Sequence, residues 1–213
     1  MTRPFRKFFG RSWPAGSSVN ALLSIAERPA LSLPMVISFH LAVFGAAVAW
    51  QSLLPAGVAA LWRPPKDLAI PWWVAAIGAS WLLVLVPAVL QARMPALREL
   101  GADLYTSIAP VTPLRIAVFA GLSGLCEELL FRGPIQATLT WPVAALLFGA
   151  LHGGGSRRLW LWSAFAVIAG MLFGVLVDLY DSLSPAIVAH TTVNAINMRR
   201  LRQYAPVAGR PQR

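Results

Sequence analysis

Long uninterrupted apolar runs, rather than the alternation of a half-buried strand, organise this chain. Residues 33–54 form the first run, closed by Pro55 and Gly57. Arg63-Pro64-Pro65-Lys66-Asp67 then reads as a turn. Residues 70–91 form the second run and open with Trp72 and Trp73, aromatic residues suited to a membrane interface. Each run matches the ~20 apolar residues that a helix needs to cross the hydrocarbon core. Residues 92–113 are mixed, with Arg93, Arg98, Glu99 and Asp103 between Pro95 and Pro113. They read as a surface helix or loop. A third segment, 114–133, is apolar but carries two glutamates and an arginine. Gly133-Pro134 is expected to end or break it. Residues 141–153 make a short apolar stretch stopped by Gly153-Gly154-Gly155, residues 159–179 a clear span, and 184–198 a last short segment. In the fifth segment Gly170 and Gly174 are spaced so that a neighbouring helix can approach closely. The pattern predicts an all-α, multi-pass transmembrane bundle of about six membrane segments.

Composition removes the competing classes. Of 213 residues, 57% are hydrophobic and 12% charged, with eight acidic residues and three histidines. Soluble proteins carry roughly 25% charged residues. A water-soluble globule is excluded, and so is a disordered chain, which would be poor in apolar residues. One cysteine, Cys126, leaves no intrachain disulfide and no Cys-based zinc site.

The net charge of +10 reads as contact with anionic lipid rather than nucleic acid. With a cytoplasmic N-terminus and six crossings, the basic residues gather on one side. That side takes the 1–30 tail, the 92–115 loop, Arg157-Arg158 and the C-terminal residues from Arg199. Only Arg63, Lys66 and Arg132 lie elsewhere, which is the positive-inside pattern. The 1–30 segment, which has no apolar core of its own, reads as a juxtamembrane tail rather than a secretory signal.

Ionisable groups at membrane depth cost ~2.5–3.5 kcal/mol each, so those present need a reason. Glu128 and Arg132 are four apart and pair on one helix face. Glu127 is turned ~100° from Glu128 and has no partner in its own helix. Burial without a partner would raise its pKa towards the range of a general acid or base. Phe148 and His152 share a face of the fourth segment. His190 and Asn194 share one of the last. One carboxylate, two imidazoles and an amide on three apolar helices fit activation of a water beside a carbonyl, in hydrolysis of an acyl bond. Taken singly, His40 and Asn197 read as structural, Cys126 as packing, and Asp178 and Asp181 as an exposed helix end.

These segments resemble the three motifs of the CAAX protease and bacteriocin-processing (CPBP, or Abi) family of intramembrane proteases, which includes the type II CAAX prenyl endopeptidases. Glu127-Glu128-x-x-x-Arg132 with Gly133-Pro134 is similar to the first motif, Phe148-x-x-x-His152 to the second and His190-x-x-x-Asn194 to the third. The lead-in from Ser182 to His190 and the Gly170/Gly174 pair are similar too. The resemblance covers about residues 112–200. It divides the chain into a basic tail (1–30), two helices with a connecting surface segment (31–111), a catalytic core (112–200) and a basic C-terminal tail (201–213).

The resemblance implies an endopeptidase with a buried polar cavity, in which Glu127 and His152 activate the water. His190 and Asn194 would hold the oxyanion, and Glu128–Arg132 would be a structural pair. A metal route stays open beside a metal-free one, with Glu127, His152 and His190 as ligands to Zn2+. The implied partners are membrane lipid and a lipidated or membrane-anchored polypeptide substrate, with no nucleic acid. The implied location is a bacterial plasma membrane. The alternative readings are a non-catalytic immunity or scaffold protein of the same fold, or a small transporter. The charge pattern and the resemblance disagree on sidedness. A third helix running outwards would carry Glu127 towards the exterior, whereas the prenyl-protein proteases act on cytosolic substrates.

Overall fold

The computed structural model describes residues 31–153 and 157–205. The tail 1–30, residues 154–156 and residues 206–213 lie outside the described residues. All regular structure among the described residues is helical: α1 Leu33–Ser52, α2 Trp72–Arg93, α3 Pro95–Ile108, α4 Pro113–Leu139, α5 Trp141–His152, α6 Arg157–Tyr180 and α7 Ser184–Leu201. The chain is all-α, and a short 3-10 turn, Val58–Trp62, links α1 to α2.

Local chemistry sets the helix starts. Ser32 caps α1 by accepting from the Met35 N–H, and Thr112 caps α4 by accepting from the Arg115 N–H. Pro34 and Pro113 sit in the first turns, where a missing N–H leaves no bond unmade. The mixed segment is a helix, α3, bent by 100° from α4.

Among the described residues three helices are long and apolar enough to cross a membrane: Leu33–Ser52, Trp72–Arg93 and Arg158–Tyr180. A fourth joins them if the bent α3–α4 pair counts as one span. The expected six segments are all present as helices. However, α5 has only 12 residues, and α4 and α7 carry the polar groups that dilute an apolar signal. Phe39, Leu41, Trp81, Leu82, Leu85 and Ile168 are exposed on α1, α2 and α6. Faces this apolar on the outside suit lipid, and the protein is an integral membrane protein.

The third segment departs from the expected 114–133. Gly133 has non-helical backbone (φ −74°, ψ −109°) and Pro134 follows, yet the helix kinks there and continues to Leu139. Two π-helical turns, Ser123–Glu127 and Phe131–Ile135, flank Glu128–Leu130. π-Turns of this kind recur at functional sites because they re-aim side chains within a helix.

Contacts fix which helix ends meet. At one end the Leu31 N–H donates to Ser107 O (3.0 Å), and Arg158 pairs with Asp103 (2.9 Å). Arg202 donates to Val111 O (3.0 Å) at the same end. At the other end the Lys66 N–H donates to Tyr180 O (2.8 Å), Ser182 to Arg63 O (2.7 Å) and Gln136 to Asp178 (2.7 Å). Six helices therefore run alternately between two ends, with α3 lying across the first. Arg93, Arg98, Arg115, Arg158, Arg199, Arg200 and Arg202 belong to that first, basic end. Arg63 and Lys66 belong to the other, where both pair with Asp181 (2.6 and 3.4 Å).

The core follows from small residues. Ala76, Ala79, Ala169, Ala186 and Ala189 let α2, α6 and α7 close around Leu83, Phe173 and Val193. A Cβ on Gly174 would lie 2.8 Å from Trp141 Cβ, and one on Gly170 would lie 3.2 Å from Ala145 Cβ. The spacing Gly170-x-x-x-Gly174 thus does what it predicted: it brings α5 against α6.

Candidate active site

Adjacent glutamates on α4 have separate surroundings. Glu128 is fully buried (0% exposed). Its Oε2 lies 3.2 Å from Arg132 Nε, an ion pair set off the hydrogen-bond axis, and its Oε1 accepts from His190 Nδ1 at 2.7 Å. The Arg132 guanidinium donates to Gly170 O (3.0 Å). It also sits over the rings of Phe148, Phe173 and Phe131, 4.9, 5.7 and 5.9 Å from their centroids. Cation–π contacts of this kind strengthen where water is excluded. His190 is stacked on Phe173 at 5.1 Å. The Glu128–Arg132 pair expected from the sequence is formed, and His190 completes it as a third member.

Glu127 faces the other way. Its side chain retains 15% exposure. His152 Nε2 lies 3.7 Å from Oε2, and His40 Nε2 lies 3.5 Å from Oε1. The expectation that Glu127 has no partner holds only within α4, because two other helices supply one each. His40, which reads from the sequence as structural, is thus brought beside Glu127. His40 and Gln51 are the polar members of the buried stripe of α1, and an ionisable residue within an apolar run was the signal to follow. Ser123 was also missed. Its Oγ accepts from Asn194 Nδ2 at 2.8 Å, joining α4 to α7. Close approach makes this possible, since a Cβ on Gly124 would come within 2.8 Å of the Thr191 backbone nitrogen.

Two cavities meet at these groups. A large one, about 1010 Å³, is lined by Glu127, His40, His152, Ser123 and Asn194 at its polar end. Its remaining wall is mostly apolar and includes Leu83 and Leu90 of α2, Leu97 and Leu104 of α3, and Trp162 of α6. A small one, about 30 Å³, is lined by His152, His190 and Asn194. That is room for one water beside polar partners. The large cavity extends under α3 towards the basic end, where Leu201 and Gln203 also line it.

The zinc set does not assemble. No three His, Cys, Asp or Glu side chains among the described residues are arranged to hold a metal ion. Glu127, His152 and His190 therefore do not fit as joint ligands. Cys126 is buried, as a packing residue would be.

Residues 109–196 match a family model described as Type II CAAX prenyl endopeptidase Rce1-like. Residues 109–196 are similar to that family. The match spans α4 to α7 and so contains all three motifs of the CAAX-protease resemblance, while α1 to α3 lie outside it. No curated protein and no solved structure matches the chain.

Proposed function

We propose that the protein is an intramembrane endopeptidase of the CAAX-protease type that cleaves a peptide bond with a water activated by Glu127 and His152. The observation carrying this reading is the meeting of Glu127, His152 and Asn194 at the polar end of a large apolar cavity. Glu127 takes the proton of the attacking water and returns it to the leaving amine. His152, 23% exposed, is the more open of the two histidines facing it and borders both cavities. The oxyanion of the tetrahedral intermediate falls to His190 and Asn194. Asn194 has a second N–H beyond the one given to Ser123. His190 gives its Nδ1–H to Glu128, which fixes its ring and leaves Nε2 outside that bond. In the division of labour, residues 112–200 supply the reacting groups and 31–111 supply cavity walls.

The positive-inside rule puts the basic end in the cytoplasm. The cavity extends to that end, so the site is open to cytosolic substrates. This reading removes the conflict over sidedness. On this reading α4 does run outwards, but α5 ends at His152 on the basic side and α3 roofs the cavity there. The substrate we propose is a membrane-anchored polypeptide whose lipid chain lies along the apolar wall.

The test is cleavage of a fluorogenic farnesylated peptide ending in a CAAX sequence, by the full chain in detergent. Glu127→Gln should abolish turnover while leaving the fold intact. Full activity in Glu127→Gln overturns the mechanism. No cleavage by the wild type of either the farnesylated or the unmodified peptide favours a non-catalytic scaffold.

A further inference from the structure

We infer that His40, on a helix outside the family-matched residues, is a positioning residue for the Glu127 carboxylate. The inference rests on the reading of Glu127 as the base that activates water.

Two histidines approach Glu127 in the same manner. His40 Nδ1 lies 2.8 Å from Val36 O, and His152 Nδ1 lies 2.7 Å from Phe148 O. In each case the acceptor is the carbonyl four residues earlier in the same helix. A carbonyl only accepts, so each Nδ1 carries its hydrogen and each ring turns Nε2 to the carboxylate. His40 takes Oε1 at 3.5 Å and His152 takes Oε2 at 3.7 Å. A bare Nε2 lone pair would repel a carboxylate oxygen, whereas a proton between them attracts both. His190 of α7 lies within electrostatic range of the same carboxylate, and Cys126 is its neighbour in the chain.

The surroundings separate the two histidines. The His40 side chain is 9% exposed against 23% for His152, and its ring is covered by the edge of Phe39 at 5.2 Å. A core histidine that is merely satisfied would have both nitrogens bonded. His40 Nε2 has no hydrogen-bond partner among the described residues and lies 3.5 Å from Glu127 Oε1. A leucine would fill this position in a lipid-facing helix without leaving a buried nitrogen unmet. The geometry accounts for the cost. His40 holds Oε1, which leaves Oε2 turned to His152 and the cavity. Carboxylate rotation is restrained before substrate arrives, and His40 itself never touches the substrate.

The experiment compares His40→Leu and His40→Gln with wild type, using the full chain in one detergent and the farnesylated peptide above. Misplacing a reacting group by about 1 Å costs about 10²-fold, so His40→Leu should lower kcat by about that factor with KM within about twofold. His40→Gln keeps an N–H that reaches Oε1 and should recover most of kcat. Wild-type kcat in His40→Leu, or a raised KM with kcat unchanged, overturns the inference. Glu127→Gln is the control that separates the two claims, since activity surviving there removes the mechanism itself. A readout independent of turnover is the ¹⁵N signal of the His40 ring in histidine-labelled protein. It should move on Glu127→Gln, and an unmoved signal overturns the contact even if no peptide is cleaved or His40→Leu fails to fold.

Discussion

The Glu128 and Glu127 sides of α4 start one residue apart and end in opposite physical states. On the Glu128 side every charge is matched and sealed: arginine, histidine and three phenylalanine rings leave the carboxylate without exposure. On the Glu127 side the carboxylate lies 3.5 and 3.7 Å from two histidines and borders a cavity of about 1010 Å³. A sealed cluster fixes helix positions, whereas a carboxylate next to open space can exchange a proton. The lesson is that neighbouring positions on one helix divide between holding the fold and offering chemistry, and that packing from other helices makes the division.

The largest effect expected from this comparison is on turnover. Glu127→Gln should lower kcat by at least about 10²-fold, the usual scale for loss of a general base, with an unfolding midpoint close to wild type. Glu128→Gln should do the reverse in kind. It leaves Arg132 buried and unmatched, and breaking a buried pair costs about 3–5 kcal/mol, visible as a lowered unfolding midpoint in detergent. The pair of changes Glu128→Leu and Arg132→Met should cost less than either change alone, because no isolated charge remains. A double variant as unstable as the sum of the singles would show the cluster to be more than self-matching.

A smaller effect is expected where α4 meets α7. The Cβ added by Gly124→Ala would strike the Thr191 backbone, and over-packing of this kind costs about 1–3 kcal/mol. The shift would pull Ser123 from Asn194, so turnover should fall together with stability. Unchanged turnover would mean that the Ser123–Asn194 bond is dispensable.

The smallest effect is at the end away from the site. Burial alone would push the Asp181 carboxyl up. Hydrogen bonds and charge from Arg63 and Lys66 outweigh it and hold the carboxyl below its ordinary value. A lowered folded-state pKa stabilises the fold above the unfolded pKa, and that stability is lost as pH falls through the folded value. Wild type should therefore exceed Asp181→Asn slightly in unfolding midpoint near neutrality, and the two should converge in acid. A gap that persists in acid would assign the effect to something other than charge.

The sequence made much of this legible. Apolar runs located α1, α2 and α6 because the bilayer sets their length. The i, i+4 rule found Glu128–Arg132, since that contact is made within one helix. The mixed composition of 92–113 marked a surface helix or loop, and the structure makes most of it the helix α3. Less was legible at α4, where the π-turns and the kinked passage through Gly133-Pro134 depend on how neighbouring helices take up freed backbone groups. His40 was passed over because no side chain within α1 pairs with it.

By itself, then, the sequence determined the all-helical character, the lipid-facing surfaces and the three motifs, because each depends on residues close together in the chain. The tertiary structure alone decided that His190 belongs to Glu128, that His40 and His152 share Glu127, and that the cavity extends to the basic end. Those outcomes depend on how far each helix slides against its neighbours, and that is set by the fit of alanines, glycines and aromatic rings across the bundle.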